Sequence, residues 1–229
     1  MAEATGDAAG YRYERKFVTT TLGPREVDTL IRLHPSFFRE IHHERFVNNI
    51  YFDTPSLANY EANVVGLAER LKCRVRWYGE LLGGVAKPVL ELKRKFSLLG
   101  TKESHRLPPF DVDEKLTVSS IFEDADIPET LKLYVGTLQP TLMNRYRRRY
   151  YLSADGDYRM TVDWDLEFRR IGPFANSFRE KSLPDRRVVL ELKYDRGKEA
   201  LADRIASHVR LRLSKMSKYV TGLDTLYPW

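Results

Sequence analysis

Cysteine is nearly absent from this sequence. Cys73 is the only one in 229 residues, so no intrachain disulfide can form and no thiolate cluster exists for zinc or iron–sulfur chemistry. Any metal must therefore be held by oxygen or histidine ligands. Long apolar runs are missing too, none approaching the roughly 20 residues that a membrane helix requires. The opening MAEATGDAAG lacks the basic and apolar regions of a secretory signal, which makes the cytoplasm the expected location. Low-complexity tracts, a Walker A loop and a Gly-x-Gly-x-x-Gly turn are all lacking, so a nucleotide, if bound, is not cradled by those devices. What the chain does hold is 42% hydrophobic and 31% charged residues, the composition of a folded protein with a real core. Its formal net charge of +6 favours polyanionic partners without choosing among nucleic acid, lipid, nucleotide and polyphosphate.

Residues 1–10 are small and polar and read as a disordered tail, with one domain over 11–229. Strands are expected at Tyr11–Val18, Asn49–Thr54, Leu71–Tyr78, Val89–Phe96, Leu142–Leu152, Tyr158–Phe168 and Val188–Tyr194. Helices are expected after Gly23-Pro24, over 56–67, in pieces within a helical insertion over 107–140, and over 198–213, followed by a Ser/Lys-rich end. The Gly83-Gly84 pair and the turn Ala154-Asp155-Gly156-Asp157 mark two antiparallel connections.

Side chains of one parity share one face of a strand. Lys72, Arg74 and Arg76 alternate with Leu71, Cys73, Val75 and Trp77, and Glu91, Lys93 and Lys95 alternate with Leu90, Leu92 and Phe96. Glu14 and Lys16 stand against Tyr13 and Phe17, and Glu191 and Lys193 against Leu190, Leu192 and Tyr194. Arg159, Thr161, Asp163 and Asp165 stand against Met160, Val162, Trp164 and Leu166. An antiparallel sheet with its charged face in water is one reading. The other follows from cations recurring every second position, about 7 Å apart, whose mutual repulsion asks for an anion. A sheet curled with that face inward gives a Lys/Arg-lined tunnel for phosphates, with Glu14, Glu91 and Glu191 available for a hard divalent cation. Asp163 and Asp165 could form a second metal pair, although pairing with tunnel arginines is favoured. His42-His43 has no partner histidine at ligand spacing and reads as surface, and Cys73 as a core thiol.

In order along the chain, Tyr13-Glu14-Arg15-Lys16-Phe17, Tyr51-Phe52-Asp53-Thr54, Arg74-Val75-Arg76-Trp77-Tyr78-Gly79 and Leu90-Glu91-Leu92-Lys93-Arg94-Lys95 are followed by Tyr146-Arg147-Arg148, Arg159-Met160-Thr161-Val162-Asp163, Leu190-Glu191-Leu192-Lys193 and Ser214-Lys215-Met216-Ser217-Lys218-Tyr219. This series resembles the catalytic domain of the vacuolar transporter chaperone (VTC) family, a branch of the CYTH or triphosphate tunnel metalloenzyme superfamily. The resemblance implies an α+β fold, an antiparallel β-barrel with a charged interior and helices packed outside. It implies that Lys16, Arg74, Arg76, Lys93, Arg148 and Arg159 hold phosphates, with Tyr146 near the transferred group and Lys215 and Lys218 gripping at the tunnel mouth. Lys95, Ser217, Glu14 and Lys193 are added as substrate-binding neighbours and Glu191 as the metal carboxylate, for Mn²⁺ or Mg²⁺. Within Arg145–Tyr150 either parity could face inward, and Arg148 is preferred to Arg147.

The wider superfamily opens with Glu-x-Glu-x-Lys, whereas Arg12 stands here at the first of those positions. That departure is similar to the VTC branch and argues against thiamine-triphosphatase or adenylate cyclase chemistry. The implied activity is metal-dependent transfer of the ATP γ-phosphate to a growing polyphosphate chain, with ATP and polyphosphate as partners and no nucleic acid. No transmembrane segment is expected in the chain, so a membrane partner would act in trans. Hydrolysis of tripolyphosphate or nucleoside triphosphate by the same tunnel, and a non-catalytic polyanion-binding module, are the alternatives.

Overall fold

The computed structural model describes residues 12–96, 99–174, 176–182 and 185–227; the tail expected at 1–10 lies outside them. The strands are β1 (Arg12–Thr19), β2 (Arg39–Asp53), β3 (Glu69–Tyr78), β4 (Gly83–Val85), β5 (Val89–Phe96), β6 (Leu99–Arg106), β7 (Phe110–Val112), β8 (Gln139–Leu152), β9 (Tyr158–Arg169) and β10 (Val188–Asp195). The helices are α1 (Pro24–Arg32), α2 (Ala58–Val65), α3 (Val118–Phe122), α4 (Glu129–Gly136), α5 (Glu199–Val209) and α6 (Lys218–Leu226). Eight strands close into an antiparallel barrel in the order β1-β10-β9-β8-β2-β3-β5-β6, and β4 pairs with β7 beside it.

Alternation decides which face is which. On one side of the barrel the outward residues Phe17, Met160, Val162, Leu190 and Leu192 pack under Val27 and Ile31 of α1 and Ala202, Ile205 and Val209 of α5. On the other, Cys73, Val75, Trp77, Leu90 and Leu92 are covered by β7, α3 and α4. With helices burying the apolar parity, the charged parity is left facing the lumen. The expected inward charged face is what the barrel shows. Cys73 is fully buried in the outer core, and burial pushes its thiol up to about 12, while His42 and His43 are exposed.

Four features depart from the sequence-based expectation. Strand β2 begins ten residues before the expected Asn49, because its polar, histidine-containing first half is held by pairing with β8 across irregular register and not by any apolar alternation. Strand β6 was not expected at all; LGTKESHR has no apolar parity and is extended through its continuous ladder with β5. In β9 the alternation inverts at Asp165, whose left-handed φ of 51° coincides with a register shift against β8. Asp163 and Asp165 therefore do not share a face, and Leu166 and Phe168 turn inward.

The fourth departure is α6, which does not sit outside with the other helices. Its Tyr219, Leu223 and Leu226 pack with the lumen-parity residues Tyr51, Leu142, Tyr146 and Phe168, stopping one end of the barrel. Two contacts fix it there. Asp53 is fully buried, accepts the backbone N–H groups of Thr54, Asn59 and Tyr60, and accepts the Tyr219 hydroxyl at 2.5 Å. Gly222 meets Leu142 and Phe168 so closely that a Cβ would lie 2.5 Å from the former and 2.6 Å from the latter. Both neighbours are buried and cannot yield cheaply. Gly222→Ala should therefore lower the unfolding free energy by about 1–3 kcal/mol, read from denaturant titration; an unchanged midpoint would mean that α6 is not locked in this seat.

Candidate active site

Ladder register brings the inward side chains of the barrel together. Lys16 lies opposite Glu191, and Glu191 opposite Thr161; Glu14 lies opposite Lys193, and Lys193 opposite Arg159. Arg74 faces Glu91, and Lys72 faces Lys93. From the stopped end α6 adds Lys218, its first residue, directly after the N-cap Ser217, whose hydroxyl accepts from Val220 N–H and from the Lys72 ammonium at 2.8 Å. Arg74, Arg148, Glu191, Asp163 and Lys218 are all buried.

Such a concentration of cations is tolerable only with acids among them. Glu191 lies 2.8 Å from Lys193, 3.5 Å from Lys16 and 3.6 Å from both Arg148 and Lys218. Asp163 accepts Arg148 through both carboxylate oxygens, at 2.5 and 2.6 Å, and also Lys218 at 2.5 Å. Glu91 takes the Nε and Nη2 of Arg74 on one oxygen and Lys102 on the other. The hydroxyl of Tyr146 accepts from Arg76 at 3.1 Å, and its ring lies under Arg148 and Lys218.

The titration of these groups reports the field inside. Burial and the neighbouring Glu191 push the Glu14 carboxyl up, but Lys16, Lys193 and Lys93 outweigh them and bring it down to about 2. Burial raises Tyr146, yet Arg148 and Arg76 draw its hydroxyl below the usual tyrosine range. Lys72 is lowered to about 7 by burial and by Lys16, and Lys93 well below the ordinary lysine value by Arg74 and then by burial. Lys93 and Lys95 make no ion pair among the described residues, so the lumen holds an excess of positive charge.

The residues singled out from the sequence fall into three groups. Lys16, Arg74, Arg76, Lys93, Tyr146, Arg148, Glu14, Lys193, Ser217, Lys218 and Glu191 come together in and around the lumen. Arg159 and Lys95 are on lumen-parity positions nearer the strand ends, Arg159 exposed and Lys95 half-buried. Lys215 is exposed on the segment leading into α6 and acts on Lys95 only through space. Arg147 points the other way, to Glu44 and Asp165. Sequence reasoning missed Lys72 as a site residue although it sits in the same alternation, and missed the clamp of Asp53 on Tyr219, for which the spacing of Tyr219, Leu223 and Leu226 was the available signal.

Glu91, expected beside Glu14 and Glu191 as a metal carboxylate, instead holds Arg74, and among the described residues no group of three His, Cys, Asp or Glu is placed to share a metal ion. Glu14 and Glu191 remain together through their shared contacts to Lys16 and Lys193. Two hard oxygen donors fit Mg²⁺ or Mn²⁺ of the kind that keeps one or two protein carboxylates and draws its other ligands from water and phosphate. Removing the counter-ion of Arg74 leaves a buried charge uncompensated, so Glu91→Gln should destabilise the fold by about 3–5 kcal/mol in denaturant unfolding; a loss within a few tenths would show that Glu91 is dispensable to the barrel.

Solved structures with this architecture include a protein from Vibrio parahaemolyticus described as a candidate adenylate cyclase, 10% identical with a TM-score of 0.54 and covering 93% of this chain and 98% of that one. A protein from Pyrococcus horikoshii OT3 is 13% identical, with a TM-score of 0.53 over 93% and 99%. A candidate adenylyl cyclase from Hippeastrum, described as revealing a dominant triphosphatase activity, is 14% identical with a TM-score of 0.50 over 94% and 95%. At these identities the likeness is one of fold, the triphosphate tunnel fold. No curated protein matches the chain. The VTC domain model matches residues 11–227, which is nearly the whole chain, and with the tunnel in place the chain belongs to the VTC domain family.

Proposed function

We propose that this chain is a polyphosphate polymerase that transfers the γ-phosphate of ATP to the end of a polyphosphate chain inside the barrel. The observation that carries the reading is the excess of cations around Lys93, Lys16 and Arg76, with acids that hold cations and with the Ser217 hydroxyl engaged by Lys72 and the Val220 N–H. Phosphoryl transfer asks mainly for positioning and charge neutralisation. A terminal phosphate oxygen, already ionised at neutral pH, forms the new P–O bond as the bond between the β- and γ-phosphates breaks, and ADP leaves carrying the electron pair. No proton needs to move. Arg74, Arg76, Lys93 and Arg148 would neutralise the equatorial oxygens, and Lys16 and Lys218, joined through Glu191, would set the line of donor and acceptor. A divalent ion held by Glu191 with Glu14 would supply further neutralisation on the donor phosphates.

Hydrolysis with water as acceptor is the second reading, supported by the triphosphatase activity described for the Hippeastrum protein of the same fold. Incubation with ATP and Mn²⁺, and separately with tripolyphosphate, decides between them when chain growth is followed on a gel and phosphate release in solution. Polymer from ATP is the expected result, and free phosphate without polymer would move the assignment to a tunnel hydrolase. Lys16→Ala and Glu191→Ala should each lower the rate by about 10²–10³-fold; wild-type turnover in Glu191→Ala would remove the metal role of that carboxylate.

Lys72 gives a pH signature. In the empty tunnel its ammonium titrates near 7 instead of at the ordinary lysine value. A bound phosphate chain raises that pKa, so at pH 8 binding must take up protons. Calorimetry in buffers of differing ionisation enthalpy should show net proton uptake that shrinks in Lys72→Met. Proton release, or uptake unaffected by that substitution, would place Lys72 outside the phosphate site.

A further inference from the structure

From the stopped end of the barrel outward, cations and aromatic rings alternate. The Lys218 ammonium is 4.8 Å from the centre of the Tyr146 ring, and Arg148 lies 5.2 Å from Tyr146 and 5.7 Å from Tyr150. Arg45 follows, 4.8 Å from Tyr150 and 4.2 Å from Tyr78. Tyr78 is the last residue of β3 and is 46% exposed, so this final rung stands at an opening. All of these strand residues belong to the lumen parity: Arg45 is the register partner of Arg148, and Tyr78 that of Val47.

The rungs differ in how their charge is balanced. Lys218 and Arg148 are both held by Asp163. Arg45 has no hydrogen bond or ion pair among the described residues, and its Nε is buried without a partner. The outward arginines beside it differ in having acids to pair with: Arg147 reaches Glu44 and Asp165, Arg149 reaches Glu44, and Arg145 reaches Glu80, although the Nε atoms of Arg145 and Arg147 are likewise buried without a hydrogen-bond partner. A guanidinium fixed by ring faces keeps its in-plane N–H groups free, and that planar fork matches two oxygens of a phosphate.

We propose that Arg45 is an outer phosphate subsite at the mouth of the tunnel, holding a phosphate of a linear chain that runs past the buried core, so that the protein grips long polyphosphates more tightly than tripolyphosphate. This rests on the reading that a phosphate chain occupies the tunnel. Tyr150 and Tyr78, whose rings flank the guanidinium, are positioning residues for the Arg45 fork.

Equilibrium calorimetry without turnover tests it, using linear tripolyphosphate and a long linear polyphosphate on the full chain. Arg45→Met should weaken the long chain by about tenfold, the loss of one charge-assisted contact, and tripolyphosphate by less than about twofold. The statistical advantage of a longer ligand is the same for both proteins, so the ratio isolates Arg45. Arg45→Lys should recover part of the loss, because the charge returns without the fork. Tyr78→Leu, at an exposed position, should reproduce a smaller length-dependent loss and serves if Arg45→Met does not fold. Equal weakening of both ligands, or of neither, overturns the outer subsite while leaving the tunnel reading intact. Failure of the wild-type protein to bind tripolyphosphate would overturn the tunnel reading and the subsite with it.

Discussion

Cations packed into a lumen repel one another, and this barrel exists because its acids are placed to hold them. Three buried carboxylates are each shared among several cations: Glu191 among Lys16, Lys193, Arg148 and Lys218, Asp163 between Arg148 and Lys218, and Glu91 among Arg74, Arg76 and Lys102. Sharing lets few negative charges fix many positive ones, which leaves the net field positive while no arginine fork in the deep core is loose. The arrangement is strong enough to hold Glu14 ionised down to about 2 and weak enough to leave Lys72 half neutral near 7. A lumen of this kind holds its cations in fixed positions, the preorganisation that favours an anion.

Much of this was readable in the alternation. Wherever a strand carries its apolar parity to an outer helix, as with Cys73, Val75 and Trp77 or Leu190 and Leu192, the sequence predicts both the strand and the direction of its charges. Strands without that signal went unseen. Residues 99–106 and the first half of β2 are extended only because a neighbour offers a ladder, a tertiary cause that leaves no local trace. The inversion at Asp165 is equally silent, since a single left-handed residue moves Leu166 and Phe168 from one face to the other without altering the hydrophobic pattern. Site residues followed the same rule. Arg74, Arg76, Lys93 and Glu191 lie on regular alternation, and the favoured pairing of Asp163 with a tunnel arginine holds through Arg148, whereas Asp165 pairs with the outward Arg147 and the role of Glu91 as holder of Arg74 depends on which cation the register places opposite it.

The metal question shows how composition and geometry divide the work. Composition leaves only oxygen donors in the lumen, and geometry removes Glu91 from them by giving it to Arg74. Under the proposed function Glu14 and Glu191 would be a donor set completed by phosphate oxygens, which would tie metal affinity to substrate binding.

The last helix of the chain is both the stopper of the barrel and the carrier of Lys218, and the carbonyl just ahead of it, that of Met216, accepts the ammonium of Lys16 on the first strand at 3.0 Å. The first strand and the last helix of the described residues therefore meet around Glu191, which contacts both Lys16 and Lys218. During synthesis a ribosome-tethered chain can pair every strand of the barrel before this helix emerges, yet it still lacks Lys218 and the Tyr219 latch on Asp53. The stopper and the lumen cation it carries are thus a single element, and a chain cut before Lys218 would keep every barrel strand while losing both.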